Sequence, residues 1–246
     1  MFNNSAFKRL QIISFLCCIL CVYSCKDEVV LNFSETNILV ENETVVEINI
    51  PKADGKTTTS KNINAILEGF VNDALTVDAS KTAKASLKEN ITAFSESYSV
   101  FKKQLEELSI TDLPVWETIV DGEVLYKNEA MVCVAMNATI NTGGAHSNIV
   151  TKFFNFDINS GKPLANKDLF NDVEGFKTIV KKYYDKELLT GYVNPTVDFK
   201  GKGFRLPKTI GFSDDGVIIF YDTLTPADEP LEFTIPYEVA NRFLKV

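Results

Sequence analysis

The sequence predicts an α+β fold in two coupled halves, with helices packed on antiparallel sheet. Three observations carry this prediction. Two successive stretches after residue 60 repeat apolar side chains every three or four residues, the spacing of a helix with one buried face. From Pro114 onward the apolar period switches to two, the spacing of half-buried strands. A third helical stretch then stands alone among strands. Helices first, strands next and one helix among them fit antiparallel α+β packing better than a doubly wound parallel sheet. Apolar residues make up 45% of the 246-residue chain, with 18 Phe, which supplies a core and excludes global disorder.

The first segment reads as a leader. Lys8 and Arg9 precede an almost wholly apolar run, Leu10 to Tyr23, that ends at Ser24-Cys25. A basic start, a short apolar stretch and a small residue before the cut form a signal-peptide pattern. The run is shorter than the about 20 residues that span a bilayer. Its end on Cys25 resembles a bacterial lipobox, in which the thiol takes the lipid and becomes the new N-terminus; Tyr23 departs from the usual small residue there. "KDEVV" (26–30) resembles the surface-export signal of Bacteroidetes lipoproteins. The expected division is a signal peptide over 1–24, lipidated Cys25 and polar tether over 25–42, an N-terminal α+β half over 43–145 and a C-terminal half over 146–246. The expected location is the outer membrane, held by the lipid and facing the cell surface or the periplasm.

The remaining elements follow in order. "ETVVEINIP" (43–51) is β-branched and stops at a proline, a strand signal. Ser60 is placed to cap a helix carrying Ile63, Ile66, Leu67, Phe70, Val71 and Leu75 on one face. A second helix carries Leu87, Ile91, Phe94, Tyr98, Phe101, Leu105 and Leu108. "VWETIVDGEVLYKN" holds Asp121-Gly122 between two alternating runs and predicts a hairpin. "AMVCVAMNATIN" (130–141) predicts a long strand, with Val132, Val134, Met136, Ala138 and Ile140 on one face and Cys133, Ala135, Asn137 and Thr139 on the other. "TGGAHSN" turns the chain into the strand "IVTKFFNFDI" (149–158). A helix is predicted from Val173 to Leu189, a loop over 191–207, and a hairpin over 209–222 with Asp215-Gly216 at its tip. "LEFTIPYEVANRFL" predicts a strand and a short helical end.

Charge and residue counts exclude several functions. The net charge is −8. Loss of Lys8 and Arg9 with the leader takes it to −10. An acidic surface repels phosphate backbones, so no nucleic acid is expected as a partner. Cys17, Cys18 and Cys21 depart with the leader and Cys25 carries lipid, which leaves Cys133 as a buried thiol without an internal disulfide partner. The chain has one histidine, His146. A zinc site takes three or four N, S or O ligands, so no metal and no cofactor is expected. Ser147 adjoins His146, but no G-x-S-x-G elbow is present. "GGAH" lacks the lysine of a phosphate-binding loop, and "SDDG" lacks the spaced acids of a calcium loop. A carboxylate pair for glycoside hydrolysis needs only to meet in space, and nothing marks one out. No catalytic residue is assigned. Gly143, Gly144 and His146 are turn or ligand-contact candidates. The reading favoured for His146 is a turn residue whose imidazole hydrogen-bonds nearby backbone.

"W…DGEVLYKNEAMVCVAMNATINTGGAHSN", continued through "FFNFDINSGKPLANKDLF", "GFSDDGVIIFYD" and "IPYEV", resembles the extracellular domain shared by RsiV-type anti-sigma factors and the N-terminal part of PdaC-type peptidoglycan deacetylases. The resemblance covers roughly residues 43–240, with "TGGAH" its most specific part. Ser147 stands where the family commonly has Gly. The resemblance implies an α+β fold in two coupled halves. RsiV-type members bind lysozyme through this domain. Deacetylase members place their chemistry on a separate domain with several histidine ligands, so that activity does not carry over. The resulting expectation is a non-catalytic envelope lipoprotein that binds a basic, lysozyme-like protein or a cell-wall fragment. The alternative is a carboxylate-dependent envelope hydrolase acting on peptidoglycan or glycans.

Overall fold

The computed structural model describes residues 31–77, 86–110, 113–189, 203–222 and 230–245. Cys25, the leader, most of the 191–207 loop and "TPADE" therefore lie outside the described residues. Leu31–Val246 pack as one compact unit. Strands β1 (Phe33–Glu41) and β2 (Thr44–Ala53) lead into helices α1 (Thr58–Leu75) and α2 (Leu87–Glu107). Strands β3 (Trp116–Lys127), β4 (Met131–Asn141) and β5 (Asn148–Asp157) follow. A short α3 (Asn166–Leu169) precedes α4 (Val173–Leu189). Strands β6 (Gly211–Ser213), β7 (Gly216–Tyr221) and β8 (Leu231–Pro236) end in α5 (Tyr237–Ala240) and a 3₁₀ turn, Asn241–Phe243.

The fold is α+β. A five-stranded sheet has the order β1-β2-β3-β4-β5 and a second sheet the order β6-β7-β8. All pairs are antiparallel except β2–β3. That pair is parallel because the chain returns to the sheet through α1 and α2, a crossover long enough to reverse direction. Thr57 caps α1, its hydroxyl accepting from the Ser60 N–H at 3.1 Å, so the helix starts one turn before the Ser60 cap expected from sequence. Ser86 and Glu89 close a reciprocal capping box on α2. α4 spans the predicted residues.

Two hydrophobic cores share strand β4. Even-numbered Val132, Val134, Met136 and Ala138 face α1 and α2, where they meet Ile63, Leu67, Phe70, Phe94 and Trp116. The rings of Phe94, Tyr98 and Phe101 lie 5.7, 5.7 and 5.2 Å from that of Trp116, which explains the aromatic content of the α2 stripe. Odd-numbered Met131 and Cys133 face the second sheet and α4, against Phe212, Val217, Ile219, Phe176 and Val180. The Cys133 thiol is fully buried, accepts from the Phe212 N–H at 3.3 Å, and is pushed up to about 12 by burial.

Four expectations change. Residues 33–41, placed in the tether over 25–42, form β1: Ile38 and Val40 face the core while the residues between them face water. The hairpin at Asp121-Gly122 does not form, and both residues lie inside the single strand β3. The glycine answers to crowding instead. A Cβ at Gly122 would lie 2.6 Å from Met136 Sδ and 2.8 Å from Pro51 Cδ. In the later hairpin Ser213 pairs with Gly216, so the tip is Asp214-Asp215, one residue before the predicted position. Strand β5, beyond the 145/146 division, pairs with β4 along its length, so the first sheet continues across that division.

Candidate functional site

The β4–β5 turn holds the sequence-selected residues. Gly143 has φ +84°, and a Cβ there would lie 2.7 Å from Pro114 Cγ. Its N–H donates to Asn141 Oδ1 at 3.0 Å, an Asx turn that closes the strand end. Gly144 has no such demand; the nearest atom to its Cβ position is the His146 carbonyl oxygen at 3.7 Å. His146 is exposed and makes no hydrogen bond among the described residues, so the backbone-bonded imidazole expected from sequence is not formed.

Gly144 and His146 line a cleft of about 390 Å³ between this turn and the C-terminal end of α1. Phe70, Ala74, Ala138, Ile140 and Val150 make it apolar. Asp73, Thr76, Thr142, Asn148 and Lys152 add polar groups. The alternation of strands explains the composition: Ala138 pairs with Val150 and Ile140 with Asn148, all on the α1 side of the sheet. Lys152 Nζ stands 5.5 Å from the centroid of Phe70. Beyond the turn itself, sequence reasoning missed this cleft, because Phe70 and Asp73 come from a helix some 70 positions earlier.

Among the described residues, the opposite face of the same sheet is covered at one end only. β6 lies against β3, β4 and β5, over Cys133 and Phe153. Farther along, the outward positions carry Glu35 and Glu41 on β1, Glu47 on β2, and Glu117, Asp121 and Glu123 on β3. No lysine or arginine occupies an outward position of the five strands there. Asn49 holds two of the acids together, its Nδ2 donating to Glu47 Oε1 at 2.9 Å and to Asp121 Oδ1 at 3.2 Å. Leu39 (60% exposed) and Ile149 (58%) stand on the same face. Among the described residues no three His, Cys, Asp or Glu side chains come together as a metal site would require.

The family described as "Deacetylase PdaC" matches residues 38–149, the stretch from β1 through the β4–β5 turn. Residues 38–149 are thus similar to that family. The match covers α1, α2, the whole cleft except Val150 and Lys152, and every outward acidic and apolar position named above except Glu35. Two solved structures share the fold of the chain. A DUF3298-family member from Bacteroides fragilis is 17% identical, with a TM-score of 0.62 over 90% of this chain and 96% of its own. A DUF3298-family protein from Pseudomonas aeruginosa is 19% identical, with a TM-score of 0.56 over 87% of this chain and 94% of its own. No curated protein matches the sequence.

Proposed function

We propose that the protein is a non-catalytic cell-envelope lipoprotein, anchored through Cys25, whose folded unit binds a strongly basic protein of the lysozyme class. The observation that carries this reading is the sheet face left open among the described residues, whose outward strand positions hold six carboxylates, no lysine or arginine, and the exposed Leu39 and Ile149. A surface of one sign attracts a partner of the other and speeds its encounter at low salt, while scattered apolar side chains supply the contact that lasts. The rigidity of a five-stranded sheet holds these groups without an ordering cost on binding. The resemblance to RsiV-type lysozyme-binding domains points the same way.

Calorimetric titration of hen egg-white lysozyme into the protein tests the reading. Saturable binding at low ionic strength that weakens steeply with salt is expected. No heat and no co-elution at low ionic strength would remove the lysozyme reading. Replacement Cys25→Ala is expected to release the protein from the membrane fraction; retention there would remove the anchor.

A further inference from the structure

We propose that the cleft between the C-terminal end of α1 and the β4–β5 turn binds a short zwitterionic peptide with an apolar side chain. The cleft lies on the sheet face opposite the acidic one, so this inference stands apart from the docking of a basic protein. Its volume, about 390 Å³, suits a small molecule, since such sites run from about 300 to 1,000 Å³. Phe70, Ile140 and Val150 give it an apolar surface.

The charges on the lining decide the ligand class. Lys152 contributes an ammonium that meets the Phe70 ring but no carboxylate among the described residues. Asp73, on the facing helix, contributes a carboxylate that likewise has no cation within ion-pair distance among the described residues. The two do not neutralise each other. Asp73 also lies in the last turn of α1, where unpaired carbonyls make the helix end negative and favour a cation. A simple fatty chain would leave both charges unmatched, and a plain carboxylate would leave Asp73 unmatched. A peptide with a free amino end toward Asp73, a free carboxylate toward Lys152 and an apolar side chain between them matches all three features. His146, exposed beside Gly144 at the mouth, offers a further donor to the carboxylate.

The test uses L-leucyl-L-leucine, its N-acetyl form and its C-terminal amide, titrated into the detergent-solubilised full-length protein by calorimetry. The free dipeptide is expected to bind with a Kd of about 0.1–1 mM, from ordinary ligand efficiency. Acetylation or amidation should each weaken it about five- to tenfold, the loss of one charge-assisted contact. In Lys152→Gln the amide and the free acid should bind alike; in Asp73→Asn the acetylated and free amines should bind alike. Asp73 is exposed and Lys152 half-buried, and unchanged melting verifies that the variants fold. Lack of saturation at about 10 mM dipeptide, or equal binding of all three ligands to the unsubstituted protein, would overturn the proposal. Lysozyme binding should be the same in both variants, which separates failure of the cleft from failure of the acidic face.

Discussion

Replacing Gly122 by Ala tests the packing of β3 against its neighbours. The added methyl would lie 2.6 Å from Met136 Sδ and 2.8 Å from Pro51 Cδ, both well inside van der Waals contact. Met136 is fully buried and its thioether can rotate, but the Pro51 ring is fixed to the backbone of β2. Overpacking of this kind costs about 1–3 kcal/mol, and removal of a strand glycine returns roughly 0.5–1 kcal/mol of that. The expected net loss is centred on about 1 kcal/mol and reaches at most about 2.5 kcal/mol. For a unit of this size each kcal/mol lowers Tm by about 2–4 °C. Scanning calorimetry measures it. A glycine at a turn with positive φ would also resent Ala, so Met136→Ala supplies the decisive comparison. Alone it should cost about 2–5 kcal/mol. Combined with Gly122→Ala it should cost less than the sum by more than about 0.5 kcal/mol, because the deletion opens the space the methyl needs. Strict additivity would refute the crowding account of Gly122.

Other predictions follow from single contacts. His146→Ala should leave Tm within about 1–2 °C, since an exposed side chain without a hydrogen bond contributes within about 0.5 kcal/mol. Gly143→Ala should destabilise by about 1 kcal/mol or more through its positive φ and the contact with Pro114, while Gly144→Ala should be near neutral by denaturant titration. The Cys133 thiol, pushed up to about 12 by burial, should resist Ellman's reagent at pH 8 until the protein unfolds. Asp157 is held below the usual carboxylate range, first by the Ser160 hydroxyl. A lowered folded value stabilises above the unfolded one and is lost as pH falls through the folded one. Asp157→Asn should therefore melt lower at pH 7, and the gap should close as pH drops below about 4.

What the sequence revealed depended on the range of the interactions involved. Helix α4 was legible residue for residue because Phe176, Val180 and Tyr184 recur at helical spacing and bury one face. Strand β4 was legible as a two-faced strand because both of its faces are apolar where the two cores meet. β1 was hidden because its outward half is polar, and an edge strand with one wet face looks like a tether. The parallel β2–β3 pair was hidden because a local pattern records that a strand exists, not which strand it will pair with. Asp121-Gly122 misled because the same dipeptide that favours a turn also fits a crowded strand crossing. The turn of the candidate cleft was found through Gly143, Gly144 and His146, whereas Lys152 and Asp73 gain meaning only when β5 and α1 come together. The acidic face was diluted along the sequence, each carboxylate alternating with a core residue, and it assembles only when β1, β2 and β3 align.

The most direct measurement of the central claim is the salt dependence of lysozyme binding to the protein and to its Glu47→Gln/Asp121→Asn/Glu123→Gln form. These side chains are outward and outside both cores, so the triple variant should keep its fold. The account predicts saturable binding at low ionic strength, a steep loss of affinity as salt rises, and both weaker binding and a shallower salt slope in the triple variant. Equal affinity and equal salt dependence in the two proteins would contradict it.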